Sequence, residues 1–157
     1  MNRRTSFGAL CTAFLCAAFA APADAQTVKS VAGTYTPVKV AAYGDGARGM
    51  LVLDGDGHFS LILARATLPK IAAGNRTKGT AEENKAVIDG SIAYLGKYTI
   101  DDGGKAITFH IETCTFPNWD GTSITRALKV EGDELTYTVT APSAGGPPID
   151  VVWKRLK

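Results

Sequence analysis

The chain has 157 residues, with 17 Lys and Arg against 15 Asp and Glu, a formal net charge of +2. That length suits one domain. So small a charge imbalance argues against nucleic acid as a partner, and no apolar run reaches the about 20 residues that a spanning helix needs, so no stable membrane insertion is expected.

The first 25 residues read as a Sec-type signal peptide. Arg3 and Arg4 give the positive start, Phe7 to Ala20 give the apolar stretch, and Ala23-Asp24-Ala25 gives a small-x-small cleavage site. Cleavage after Ala25 leaves a domain of residues 26–157 and a periplasmic or secreted location. Cys11 and Cys16 each follow a Leu, where a lipoprotein signal places a small residue, which argues against a lipid anchor. The exported domain keeps one cysteine, Cys114. It therefore has no internal disulfide, and its core alone must hold the fold.

From there the sequence alternates short β-rich runs with Gly/Asp turns. A first strand is predicted near Tyr35–Val40. Met50–Leu53 and Phe59–Ala64 flank Asp54-Gly55-Asp56-Gly57, a hairpin signal. Arg65 to Gly79 is a long loop with four basic residues, Arg65, Lys70, Arg76 and Lys78, and loops of this length are often lids. Thr80-Ala81-Glu82-Glu83 is a capping box that starts a helix predicted to run to about Ser91, and Ala81, Asn84, Val87, Ile88 and Ser91 to Leu95 give a helical stripe. Tyr98–Ile100 and Ala106–Thr113 flank Asp101–Gly104; Ile124–Val130 and Leu135–Thr140 flank Glu131–Glu134. The last strand, Ile149–Trp153, follows the turn-rich stretch Pro142–Pro148. Eight sequential strands with one short helix predict an all-β, antiparallel, eight-stranded barrel, because closing the sheet removes its exposed edges.

Period-2 alternation assigns faces. Ile124, Leu128 and Val130 share an apolar face, and Arg126 lies on it. Leu135, Tyr137 and Val139 point one way; Ile149, Val151 and Trp153 align. Ile107, Phe109 and Ile111 share one face, with Thr108, His110, Glu112 and Cys114 on the other.

From Gly33 to Trp153 these residues resemble the bacterial lipocalin-like domain family. The resemblance is carried by Gly33-Thr34-Tyr35, Ala93-Tyr94-Leu95-Gly96-Lys97-Tyr98-Thr99 and, most specifically, Phe116-Pro117-Asn118-Trp119-Asp120-Gly121-Thr122 with His110 upstream and Arg126 downstream. It implies a lipocalin-type barrel around a central cavity and no particular activity. The family has Trp where this chain has Tyr35. In lipocalins that Trp packs under a basic residue of the last strand, a role Tyr35 with Lys154 or Arg155 fills by stacking.

Arg126 is the sharpest candidate. An Arg on an apolar face must be paired or meet a ligand, because an unpaired buried charge is costly. It would anchor a ligand carboxylate or carbonyl, or form an ion pair with an acid such as Glu112. His110 has two readings: periodicity turns it outward, while the family resemblance points it into the cavity as a ligand contact. His110, Glu112 and Cys114 in a row span too far for easy tetrahedral geometry, and no metal is expected. Tyr94 and Tyr98 are candidate polar handles for a ligand. Asn118 and Trp119, in a connecting loop, either shape the barrel end or gate it.

No Gly-x-Ser-x-Gly, P-loop or dinucleotide fingerprint occurs in the sequence, so no catalytic residue and no cofactor are assigned. The expected function is binding of a small, largely apolar ligand with a polar or anionic end. Two alternatives stand beside it. One is an isomerase or cyclase using His110, Tyr94 and Arg126. The other is an interaction barrel, such as an inhibitor, acting through its N-terminal arm. The loop 65–79 with its helix is expected to cover one barrel end as a lid.

Overall fold

Two aspartates set two of the short reversals of the chain. Asp54 Oδ1 accepts hydrogen bonds from the backbone N–H of Asp56 (2.9 Å) and His58 (2.7 Å), and Asp101 Oδ1 from those of Lys105 (2.7 Å) and Ala106 (2.6 Å). These donors favour the ionised carboxylate, and both groups sit below the usual carboxylate range, His58 N–H being the main cause for Asp54 and Ala106 N–H for Asp101. Each carboxylate thus fixes the turn that joins two neighbouring strands.

In the computed structural model, which describes residues 25–157, these hairpins belong to a closed barrel. The predicted signal peptide, apart from Ala25, lies outside the described residues. The strands are β1 (Gly33–Val40), β2 (Arg48–Leu53), β3 (His58–Ala64), β4 (Ser91–Ile100), β5 (Ala106–Cys114), β6 (Ser123–Glu131), β7 (Glu134–Val139) and β8 (Ile149–Arg155). Each pairs antiparallel with its sequence neighbour, and β8 closes on β1 through pairs such as Tyr35 with Arg155 and Val40 with Val151. This is the expected eight-stranded antiparallel barrel. Two short α-helices accompany it among the described residues, α1 (Val28–Val31) and α2 (Ala81–Asp89). Neither, nor any other helix among the described residues, is long and apolar enough to cross a membrane.

The helix α2 starts as predicted: Glu83 N–H donates to Thr80 Oγ1 at 3.2 Å and Thr80 N–H to Glu83 Oε2 at 2.9 Å. It stops at Asp89, earlier than expected. Ser91 to Leu95, read as part of a helical stripe, instead begins β4, with Ile92 and Tyr94 turned inward. Gly90 divides the two. A Cβ there would lie 2.5 Å from Leu68 Cδ2 and 2.9 Å from Ala86 O, so the close turn from helix to strand requires glycine.

The core is the inward face of all eight strands, and the alternation read on β6, β7 and β8 holds in space: Leu128, Leu135, Tyr137, Val151 and Trp153 are buried. On β5 it breaks once. Leu95 pairs with Thr113 but Gly96 pairs with Ile111, so β5 carries one extra residue, a β-bulge. Glu112 and Thr113 both face out, and Cys114 turns inward, opposite to the face predicted for it. Gly96 has φ +155°, and a Cβ there would sit 2.1 Å from His110 O. Gly96→Ala is therefore expected to cost about 3 kcal/mol, measured by chemical denaturation. A loss under about 0.5 kcal/mol, the size of an ordinary surface change, would show that the bulge does not need glycine.

The two ends of the barrel differ. Short turns, residues 54–57, 101–105 and 132–133, lie at one end; long connections, residues 41–47, 65–90, 115–122 and 140–148, lie at the other. The short-turn end is sealed. Val31 of α1 is fully buried, Tyr35 Oη donates to Val31 O at 2.5 Å, and Tyr98 Oη lies 2.7 Å from Asp54 O and 3.1 Å from Val28 O. Arg155 stacks on Tyr35, its Cζ 5.0 Å from the ring centroid, and donates to Ala32 O and Ser30 O. The expected stacking plug is thus built with Arg155; Lys154 points to solvent.

Candidate ligand-binding site

The inward alternation of β6 delivers Arg126 to the middle of the barrel, where it is only 3% exposed. No carboxylate meets it. None of the ion pairs among the described residues includes it, and the suggested partner Glu112 faces out from β5. Three rings surround it instead. Its Cζ lies 4.7 Å from the Tyr137 centroid, 5.3 Å from Phe109 and 5.9 Å from Tyr94. Its Nη1 donates to Tyr94 Oη at 3.0 Å, while Nε has no hydrogen-bond partner.

Burial works against the guanidinium charge, but the phenol oxygens of Tyr94 and Tyr137 favour it more, and the balance lies above the ordinary arginine value. Tyr137 is held neutral: burial pushes its phenol well above the usual range. The centre of the barrel is therefore a cation in an aromatic box. Desolvated cation–π contacts stabilise it by about 2 kcal/mol, yet they supply no counter-charge and leave one donor free.

A pocket of about 560 Å³ of empty space, solvent at its mouth included, opens above Arg126 toward the long-loop end. Its floor is Arg126 with Tyr94 and Tyr137. Its walls are aliphatic, from Val40, Leu63, Ile92, Val139, Ile149 and Val151. Its mouth is framed by Tyr43, Asp89, Trp119 and the stretch Pro142–Ala144. Trp119 meets Tyr94 edge to face, with centroids 5.7 Å apart. Burial pushes the Tyr43 phenol up to about 12, with Tyr94 and Cys114 adding to the shift and Arg65 partly opposing it. A mostly apolar pocket with few convergent polar groups is the usual form of a small-molecule site.

Of the six residues singled out in the sequence, the structure brings three together here: Arg126, Tyr94 and Trp119. The other three are elsewhere. Tyr98 is buried at the sealed end with its hydroxyl on backbone carbonyls, so it is a closing contact and not a handle for this pocket. His110 lies on the outer face of β5, where Nδ1 is 2.8 Å from Ser123 Oγ and Nε2 is 3.3 Å from Thr99 Oγ1. Periodicity decides this case over the family resemblance, because Phe109 and Ile111 on either side of it take the inward positions. The combination of His110 with Tyr94 and Arg126 does not form. Asn118 is exposed and does not line the pocket. Cys114 and His110 point to opposite faces, and burial raises the Cys114 thiol, which keeps it unreactive.

The expected lid also differs. No residue of the loop 65–79 lines the pocket; from this crossover only Asp89 does, at the end of α2. The loop is tied down beside the mouth, with Ala72 N–H donating to Glu83 Oε1 at 2.9 Å and Arg65 N–H to Gly90 O at 2.9 Å. Sequence reasoning did not single out Tyr137, Tyr43 or Pro142–Ala144 as site residues. For Tyr137 the signal was present: it sits on the apolar face of β7, beside the strand that carries Arg126.

Compared with known proteins, residues 27–155 match the lipocalin-like domain. The chain belongs to the lipocalin-like domain family. It is also similar to the 4'-hydroxy-3'-methoxypropiophenone carrier protein of Aspergillus oryzae, with 29% identity over 70 residues, which is 41% of this chain. The match spans 63% of that relative's length.

Proposed function

We propose that this chain is an exported carrier barrel that takes up a small, largely apolar ligand with a polar or anionic end through its long-loop mouth. The observation that carries this reading is Arg126: a buried cation without an acid partner, with a free Nε donor, at the floor of an otherwise apolar pocket. The rings and the Tyr94 hydroxyl around it supply no counter-charge and leave Nε unpaired, so the site is completed only by a further acceptor. A ligand acceptor oxygen meets it. The name of the Aspergillus oryzae relative, a carrier protein for 4'-hydroxy-3'-methoxypropiophenone, supports the same reading. Beside Arg126 the titratable groups are phenols, Tyr94 and Tyr137, which suits holding a ligand more than turning one over. The N-terminal segment that an inhibitor would project is folded into α1 against the sealed end.

Export is part of the proposal, on the strength of Arg3, Arg4, the apolar stretch and Ala23-Asp24-Ala25. Protein recovered from its own host and examined by native mass spectrometry should carry a small co-purified molecule and begin at Gln26. A retained Met1 in the cell envelope would overturn export. Apo protein that gains no adduct from a host extract, from which an Arg126→Leu variant likewise gains none, would overturn the carrier reading.

A further inference from the structure

The pocket is shallow because the lower barrel is full. Beneath Arg126 the core is a column of packed rings: Phe109 and Tyr137 centroids are 5.7 Å apart, Phe59 and Phe109 4.7 Å, and Tyr137 and Trp153 6.3 Å. Phe59, Phe109 and Trp153 are buried, and none of them lines the pocket. Below them Tyr35 and Tyr98 seal the end with hydroxyls on backbone carbonyls. A ligand therefore cannot pass Arg126.

From floor to mouth β4, β7 and β8 each offer two inward positions: Tyr94 and Ile92, Tyr137 and Val139, Val151 and Ile149. Two positions span about 7 Å along a strand. That depth takes one ring with a short substituent. A straight fatty-acid chain with its carboxylate on Arg126 would leave most of its methylenes in solvent, and the burial of those methylenes, about 0.8 kcal/mol for each CH₂, would be lost. The rings of Tyr43, Tyr94, Trp119 and Tyr137 around this space offer edges and faces to a planar guest.

Charge narrows the class further. Asp89, the acid of the lining, stands at the mouth and is engaged by Lys85 at 2.5 Å. Nothing of negative charge reaches the floor, so a ligand that brings its own charge gains what a neutral one does not.

Resting on the carrier reading, we propose that the pocket selects a single-ring aromatic anion, an aryl carboxylate or an ionised phenol, and rejects straight-chain fatty acids. The test is calorimetric titration of the purified chain with four probes: benzoate, 4-nitrophenolate, the neutral isostere benzamide, and dodecanoate. Benzoate or 4-nitrophenolate should bind at least about 10-fold tighter than benzamide, and whichever of the two binds tighter identifies the acidic group. Dodecanoate should fail to displace the aromatic anion at equal concentration. In Arg126→Leu the preference for benzoate over benzamide should vanish. Dodecanoate binding as tightly as benzoate would overturn the length limit, and benzamide equal to benzoate would overturn the charge selection. Either result leaves a carrier pocket standing. Absence of binding by all four probes overturns the selectivity proposal, while the carrier reading is judged separately by the host-extract experiment. Phe109→Leu and Phe109→Ala extend the test, since shortening the ring column should admit dodecanoate; the probe ratios on the unaltered chain decide the proposal whether or not these variants fold.

Discussion

Replacing Arg126 with leucine should weaken binding of an anionic ligand by about 100-fold, the loss expected when one partner of a buried charge-assisted contact is removed. It should leave the fold intact. Two effects oppose each other in the free protein. The substitution removes the cation–π contacts with Tyr137, Phe109 and Tyr94 and the 3.0 Å hydrogen bond to Tyr94 Oη, together worth a few kcal/mol. It also removes a buried charge that no acid neutralises and a free Nε donor, and leucine carries neither desolvation cost. Tyr94 Oη, released from Arg126, still lines the pocket and can be reached by water. Thermal and denaturant midpoints equal to or above those of the wild type are therefore expected, together with the affinity loss. Arg126→Ala should behave differently: it leaves a cavity among the three rings and should lose about 2 kcal/mol. If the leucine variant unfolds while the remaining folded fraction binds normally, Arg126 is a structural residue and the site has been wrongly placed.

The residues behind this prediction were unequally legible in the sequence. Arg126 could be placed inward because Ile124, Leu128 and Val130 keep an unbroken period of two along β6, and direction is what a period gives. Which side chains meet it could not be read that way. Phe109, Tyr94 and Tyr137 come from three different strands, and only the register of the closed barrel brings them to one point. Cys114 was placed on the wrong face because the bulge at Glu112 and Thr113 adds one residue, and one residue inverts every face beyond it. The start of β4 was hidden because Ser91, Ile92, Tyr94 and Leu95 fit a helical stripe as well as a strand. Of the mouth only Trp119 was legible, through the stretch Phe116–Thr122 that carries the family resemblance. Tyr43 and Pro142–Ala144 lie in connections without periodicity, where no local rule says which way a side chain points. The long basic loop had the composition of a lid, but its anchorage by Glu83 and Gly90 is tertiary and left no mark in the loop itself.

The barrel thus carries two inward-reaching arginines with opposite jobs, and substituting the second should give the opposite result. Arg155 Nη2 donates to Ser30 O at 2.9 Å, Nη1 donates to Ala32 O, and the guanidinium lies over Tyr35. Both carbonyls belong to the N-terminal segment around α1, which packs Val31 into the core. Arg155→Ala leaves those acceptors without a partner, uncovers one face of the Tyr35 ring and loosens the cap on the sealed end. The expected cost is about 3 kcal/mol, the sum of two charge-assisted hydrogen bonds on a half-exposed group and one stacking contact. Ligand affinity should stay unchanged in the folded fraction, because the ring column of Phe59, Phe109 and Trp153 separates this end from the pocket. Arg155→Lys should recover part of the loss at most, since an ammonium cannot span both carbonyls while stacking flat on Tyr35. Denaturation curves and calorimetry on the same samples check both halves of the statement. A large fall in affinity without a fall in stability would mean that the two ends are coupled through the ring column, and that the floor of the pocket is set from below.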